Sequence, residues 1–119
     1  MKKLLLSLLV LTLFGCSNKS LLFKGESEHW KGEYSADITN DTREDGQFIF
    51  KLKKGNKVKK NLEININNGQ TVRTEELNNE NTITIPNACS GCSVTSKSSP
   101  IEVTIKWNNQ EETFKLKKK

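Results

Sequence analysis

From Trp30 onward, apolar and polar residues alternate with a period of two, the pattern of strands that bury one face and show the other to water. Trp30, Tyr34, Ala36 and Ile38 fall on one side of a run, with Lys31, Glu33, Ser35 and Asp37 on the other. Phe48, Phe50 and Leu52 repeat the pattern against Gln47, Lys51 and Lys53, and Leu62, Ile64 and Ile66 repeat it against Glu63, Asn65 and Asn67. Val72, then Ile83 and Ile85, then Ile101, Val103, Ile105 and Trp107, and finally Phe114 and Leu116 continue the series. No stretch of helical period competes. The runs predict seven to eight short strands and an all-β fold, an antiparallel β-sandwich (immunoglobulin-like) with a small closed barrel as the alternative.

Turn residues separate the runs. Asn68-Gly69 is the strongest hairpin signal, because a two-residue type I′ turn needs positive φ at both central positions and these residues tolerate it. Asp45-Gly46, Gly55-Asn56 and Asn108-Asn109 are further turn candidates. Asn40-Asp41-Thr42 has the form of a glycosylation acceptor and is read as a turn. The segment from Pro86 to Pro100, rich in Cys, Gly, Ser and Asn, breaks the alternation and predicts the longest loop, a crossover between sheets.

The first 16 residues follow a different rule. Met1-Lys2-Lys3 precedes an apolar run, Leu4 to Phe14, interrupted only by Ser7 and Thr12. A spanning helix needs roughly 20 apolar residues, so this run reads as a signal peptide over residues 1–15. Its end, Leu13-Phe14-Gly15-Cys16, resembles the lipobox of bacterial lipoproteins, although Phe14 is bulkier than the usual occupant. That resemblance implies cleavage before Cys16, a diacylglycerol thioether on its thiol, palmitate-type acyl chains, and a cell-membrane anchor on the extracytoplasmic face. Two or more acyl chains anchor a protein stably where one does not. Residues 16–24 are then the lipidated cysteine and a short polar tether, and 25–119 a single domain.

Composition narrows the class. The chain has 119 residues, 34% hydrophobic and 28% charged, with a mean hydropathy of −0.62. This excludes a multi-domain enzyme and a multi-span membrane protein. Without residues 1–15, the remaining 104 residues carry 17 basic and 14 acidic side chains, a formal +3. That is weakly basic, and no aromatic residues interleave with lysines as single-strand binders require, so nucleic acid is not an expected partner.

Candidate chemistry is sparse. Cys89-Ser90-Gly91-Cys92 permits a local disulfide, a redox-active pair or half of a zinc site. An oxidising location and the flexible Gly91 favour a structural disulfide between Cys89 and Cys92. Helix signals after Cys92, which thiol oxidoreductases would need, are missing from the sequence, as is a second cysteine pair for zinc. His29, between Glu28 and Trp30, reads as a strand-start histidine, with a general base beside Glu26 or Glu28 as the sharper alternative. Trp30 and Trp107 lie on the apolar phase and read as core. Lys51, Lys53, Lys54, Lys57, Lys59 and Lys60 surround the Gly55-Asn56 turn and are candidates for contact with an anionic surface; edge protection by lysines is the competing reading. Neither a phosphate-cradling glycine loop nor a serine nucleophile elbow occurs. No catalytic, cofactor or metal residues are assigned, and no enzymatic role is expected.

Two segments carry a further resemblance. Gly25-Glu26-Ser27-Glu28-His29-Trp30-Lys31 near the start, and Val103-Thr104-Ile105-Lys106-Trp107-Asn108 with Glu112-Thr113-Phe114 near the end, resemble small lipoproteins of Gram-positive bacteria that have no assigned function. The resemblance implies an exported, lipid-anchored β domain and transfers no catalytic residue. The expectation is a binding or interaction module at the cell envelope, held to the membrane through Cys16 and contacting an envelope protein or an anionic wall polymer. The alternative is a thiol-based redox protein using Cys89 and Cys92.

Overall fold

The computed structural model describes residues 18–54, 61–76, 81–91, 93–96 and 98–119. They form eight strands: β1 (Asn18–Glu26), β2 (Trp30–Thr39), β3 (Arg43–Leu52), β4 (Leu62–Ile66), β5 (Thr71–Glu75), β6 (Thr82–Ser90), β7 (Ile101–Trp107) and β8 (Gln110–Lys118). Every pairing is antiparallel, in the order β5-β4-β7-β8-β1-β2-β3-β6. The fold is thus all-β, with one continuous sheet bent over itself.

The bend makes two facing layers, β1-β2-β3-β6 and β5-β4-β7-β8. They share a backbone seam where β8 meets β1 through Phe23 opposite Lys118 and Lys24 opposite Lys117. Gly25 sits at this seam, where a β-carbon would overlap the Lys115 carbonyl of β8. Elsewhere side chains hold the layers together. Trp30 on β2 meets Trp107 on β7 edge to face at 5.5 Å, and Phe50 on β3 meets Phe114 on β8 at 6.5 Å. The inward residues of both layers form one buried cluster from Leu21 to Leu116. The alternation dictates this, since the period-two side of each strand is the side removed from water.

Two expected turns close hairpins. Asn108 and Asn109, at φ 46° and 60°, connect β7 to β8 as a two-residue loop. Asn67, Asn68 and Gly69 all have positive φ in the four-residue connection from β4 to β5, and Gly69 N–H donates to Asn65 Oδ1 at 2.6 Å. Gly55-Asn56 lies outside the described residues.

Four expectations are corrected. Asp45-Gly46 is not a turn but part of β3; the chain reverses instead at Asn40 and Asp41, with φ 52° and 55°. Gly46 is a glycine for packing, because a β-carbon there would come within 2.7 Å of the Ala36 β-carbon and 2.8 Å of the Tyr34 hydroxyl. Residues 86–90 are not loop but the second half of β6, with Pro86 opposite Gln47. β6 is an edge strand, so the amide hydrogen that proline lacks is not needed on its outer side. Residues 18–24, expected as tether, belong to β1, whose Leu21 and Phe23 pair with Ala36 and Tyr34 and enter the core. Finally, Val72 is 52% exposed, because it faces outward on the edge strand β5, opposite the outward Asn65.

Candidate functional site

The connection between β1 and β2 gathers the densest polar cluster at one end of the sandwich. Ser27 N–H donates to Trp30 C=O at 2.8 Å and closes the connection, so that Ser27 and His29 both turn toward β8. There Glu112 receives them. Its Oε1 accepts the Ser27 hydroxyl and the His29 backbone N–H, the latter at 3.0 Å, while Oε2 pairs with His29 Nδ1. The cluster ties the first layer to the second across 83 residues of sequence. The imidazole also meets the Trp107 ring edge to face at 5.7 Å. Behind it, Trp30 Nε1 is buried without a hydrogen-bond partner among the described residues.

Burial raises the Glu112 carboxyl, but the hydrogen bonds from Ser27 and His29 outweigh it and hold the group below the usual carboxylate value. Chemically this is a charge-assisted clamp. A nucleophilic triad would place the serine hydroxyl on the histidine; here both go to the carboxylate instead. His29 is therefore not simply an exposed strand-start residue, and its partner is Glu112, not Glu26 or Glu28.

Glu28, His29 and Glu112 each bring a potential ligand atom within 4.8 Å of the others. Glu112 is already engaged by three donors, which leaves a trio short of the four ligands of a structural zinc site.

At the opposite end of the same layer stands a second carboxylate. Glu44 occupies an inward position of β3 and is 3% exposed. It accepts the Tyr34 hydroxyl, Thr95 N–H at 2.6 Å and Thr95 Oγ1–H at 2.7 Å, while Asn87 donates to the Tyr34 oxygen at 2.9 Å. These bonds fasten residues 93–96 over the open end, where Val94 packs on the core. Burial, and then the hydrogen bond to Glu44, push the Tyr34 phenol well above its ordinary value, so it remains a donor.

Of the lysines expected on an anionic surface, Lys51 and Lys54 are exposed. Lys53 is instead folded back, donating to Ser27 C=O at 2.6 Å and pairing with Glu26 at 3.4 Å. Lys57, Lys59 and Lys60 lie outside the described residues, as do Cys16 and Cys92. Cys89, next to the end of β6, is disulfide-bonded. Trp30 and Trp107 are both buried.

The sheet has two edges, and they differ. β6 carries Pro86 and is flanked by the strapped residues 93–96. β5 is exposed along Val72, Arg73 and Thr74 and, among the described residues, pairs only with β4. Beside it runs an open groove of about 890 Å³, lined by Thr74, Glu63, Lys106, Trp107 and Glu111 among others. Sequence reasoning missed Glu112 and Glu44, and expected an exposed sheet edge without identifying β5. Both acids left a signal, since Glu44 shares the period-two phase of Phe48 and Phe50, and Glu112 that of Phe114 and Leu116.

No protein-family model matches the chain, and neither does any curated protein or solved structure.

Proposed function

We propose that the protein is a membrane-anchored, extracytoplasmic lipoprotein that serves as an interaction module at the bacterial envelope. The basic start, short apolar run and Gly15-Cys16 junction support the anchor. The observation that carries the interaction role is β5. Among the described residues its outer edge has a row of backbone donors and acceptors without a ladder partner, and it displays Val72, the exposed large apolar side chain of the described residues. An extended segment of a partner can add to such an edge, with main-chain bonds giving affinity and side chains giving choice. The adjoining groove, with Glu63, Glu111 and Lys106 on its walls, suits a polar segment of mixed charge.

Two measurements test the reading. The intact mass of protein extracted from membranes should begin at Cys16 and include acyl chains; an unlipidated mass overturns the anchor. A photo-crosslinking residue in place of Val72 should give adducts in cells that the same residue in place of Thr84, on the opposite edge strand, does not. Equal adducts from both positions, or none from either, overturn the role of β5.

A further inference from the structure

The outward face of the β1-β2-β3 layer holds a hollow whose lining lysines outnumber its carboxylates, Glu26 and Glu33. Lys24 on β1, Lys31 on β2, Lys51 on β3 and Lys119 line a concavity of about 480 Å³ together with Ile49. Lys31 stands directly opposite Lys51 in the ladder, and Lys24 directly opposite Lys117. Like charges placed opposite each other in this way destabilise a sheet. Two carboxylates share the face. Glu33 is opposite Lys24 and Glu26 is opposite Lys31, Glu26 also pairing with Lys53 at 3.4 Å, so two carboxylates stand against five lysines. Among the described residues, the ion pairs use Lys19, His29, Arg43 and Lys53, and none uses the five lysines of this face. The two opposed carboxylates account for part of this gathering and leave the face with an excess of positive charge.

We propose that this face binds a linear polyanion with closely spaced phosphates. Strand spacing of about 4.8 Å sets the lysines of four neighbouring strands across roughly 14 Å, wide enough for more than one phosphate. All five cations are lysines, compact point charges that suit phosphate, and the face lacks the planar guanidinium fork that pairs carboxylates two by two. No aromatic side chain lines the hollow, so nucleic-acid bases find nothing to stack on and a base-free chain is the better fit.

The choice of a polymer over a bilayer rests on the anchor reading given above. Lys24 lies six residues beyond Asn18 on β1, about 20 Å along an extended strand. That is more than twice the roughly 8 Å over which charge acts at physiological salt. Near the anchored end the same face presents Asp37 opposite Asp45, which disfavours laying it on anionic lipid.

The test uses the full-length protein in neutral detergent, with inorganic polyphosphate as the probe in titration calorimetry at low and physiological salt. Binding should weaken steeply with salt. Lys31→Gln/Lys51→Gln should lose at least tenfold in affinity, while Lys19→Gln/Arg43→Gln, which removes the same charge at the far end of the sheet, should lose less than twofold. Equal losses in both double variants, absence of binding at low salt, equal binding of orthophosphate at matched phosphate concentration, or binding to phosphatidylglycerol vesicles in place of polyphosphate would each overturn the proposal. Because the readout does not involve membrane attachment, an unlipidated native mass would remove the anchor and leave this site standing.

Discussion

Two carboxylates, Glu44 on β3 and Glu112 on β8, close opposite ends of the sandwich, and they do so under different exposure to solvent. Glu44 is sealed beneath residues 93–96 and is matched donor for donor by Tyr34 and Thr95. Glu112 sits at the partly open end, where its side chain keeps 15% of its surface exposed and it holds Ser27 and His29. The comparison teaches that identical groups can be used as a lock and as a latch. A buried acid fixes whatever loop it holds, because losing one partner leaves the others unmatched in a dry site. A partly exposed acid can be replaced by water at lower cost, so the end it closes can open more readily.

The sharpest way to break the comparison is at the sealed end. Glu44→Ala strands the Tyr34 hydroxyl and the Thr95 amide, and should lower stability by about 2–4 kcal/mol, as unmatched buried polar groups do. The shift of the urea midpoint reads it, and a loss below that of Glu112→Gln would refute the ranking. Gly46→Ala comes next, since its methyl would press on Ala36, the Ser35 carbonyl and the Tyr34 hydroxyl. Overpacking of this kind costs about 1–3 kcal/mol, read as a lower urea midpoint.

At the open end the effect is smaller and depends on pH. Glu112→Gln should cost about 1 kcal/mol near neutrality, the scale of one partly exposed charge-assisted bond. The folded-state value of Glu112 lies below its ordinary 4.5. Its contribution is therefore complete above that pH and fades as pH falls through the lowered folded value. Thermal melts from pH 6 to pH 3 should show the native protein losing more stability on acidification than the variant; parallel curves would remove the latch. Smallest of all is Val72→Thr, which should change the melting free energy by less than about 0.5 kcal/mol, because an exposed edge position contributes little to folding.

The strands whose apolar phase is unbroken were legible from composition along the chain. Trp30 to Ile38 and Ile101 to Trp107 needed no tertiary information, since each residue's face follows from its parity. β1 was hidden because Leu21, Leu22 and Phe23 run consecutively without alternation, and the burial of Leu21 and Phe23 depends on pairing with Ala36 and Tyr34. The second half of β6 was hidden by Pro86, whose ordinary meaning as a strand breaker is relaxed at an edge. Glu112 shares the parity of Phe114 and Leu116, which marks an inward position, but its contact with His29 could not be read. The two residues meet only because β8 returns beside β1.

The corners of the molecule carry one more consequence. Of the described residues with positive φ, six are asparagines and one is an aspartate, against Gly69 and Gly91. Glycine would enter the same backbone region without steric cost, yet it would also widen the range of shapes open to the denatured chain. Asparagine accepts some strain in the native corner and narrows that range. The hairpins are thus stabilised in part by what the unfolded chain is prevented from exploring.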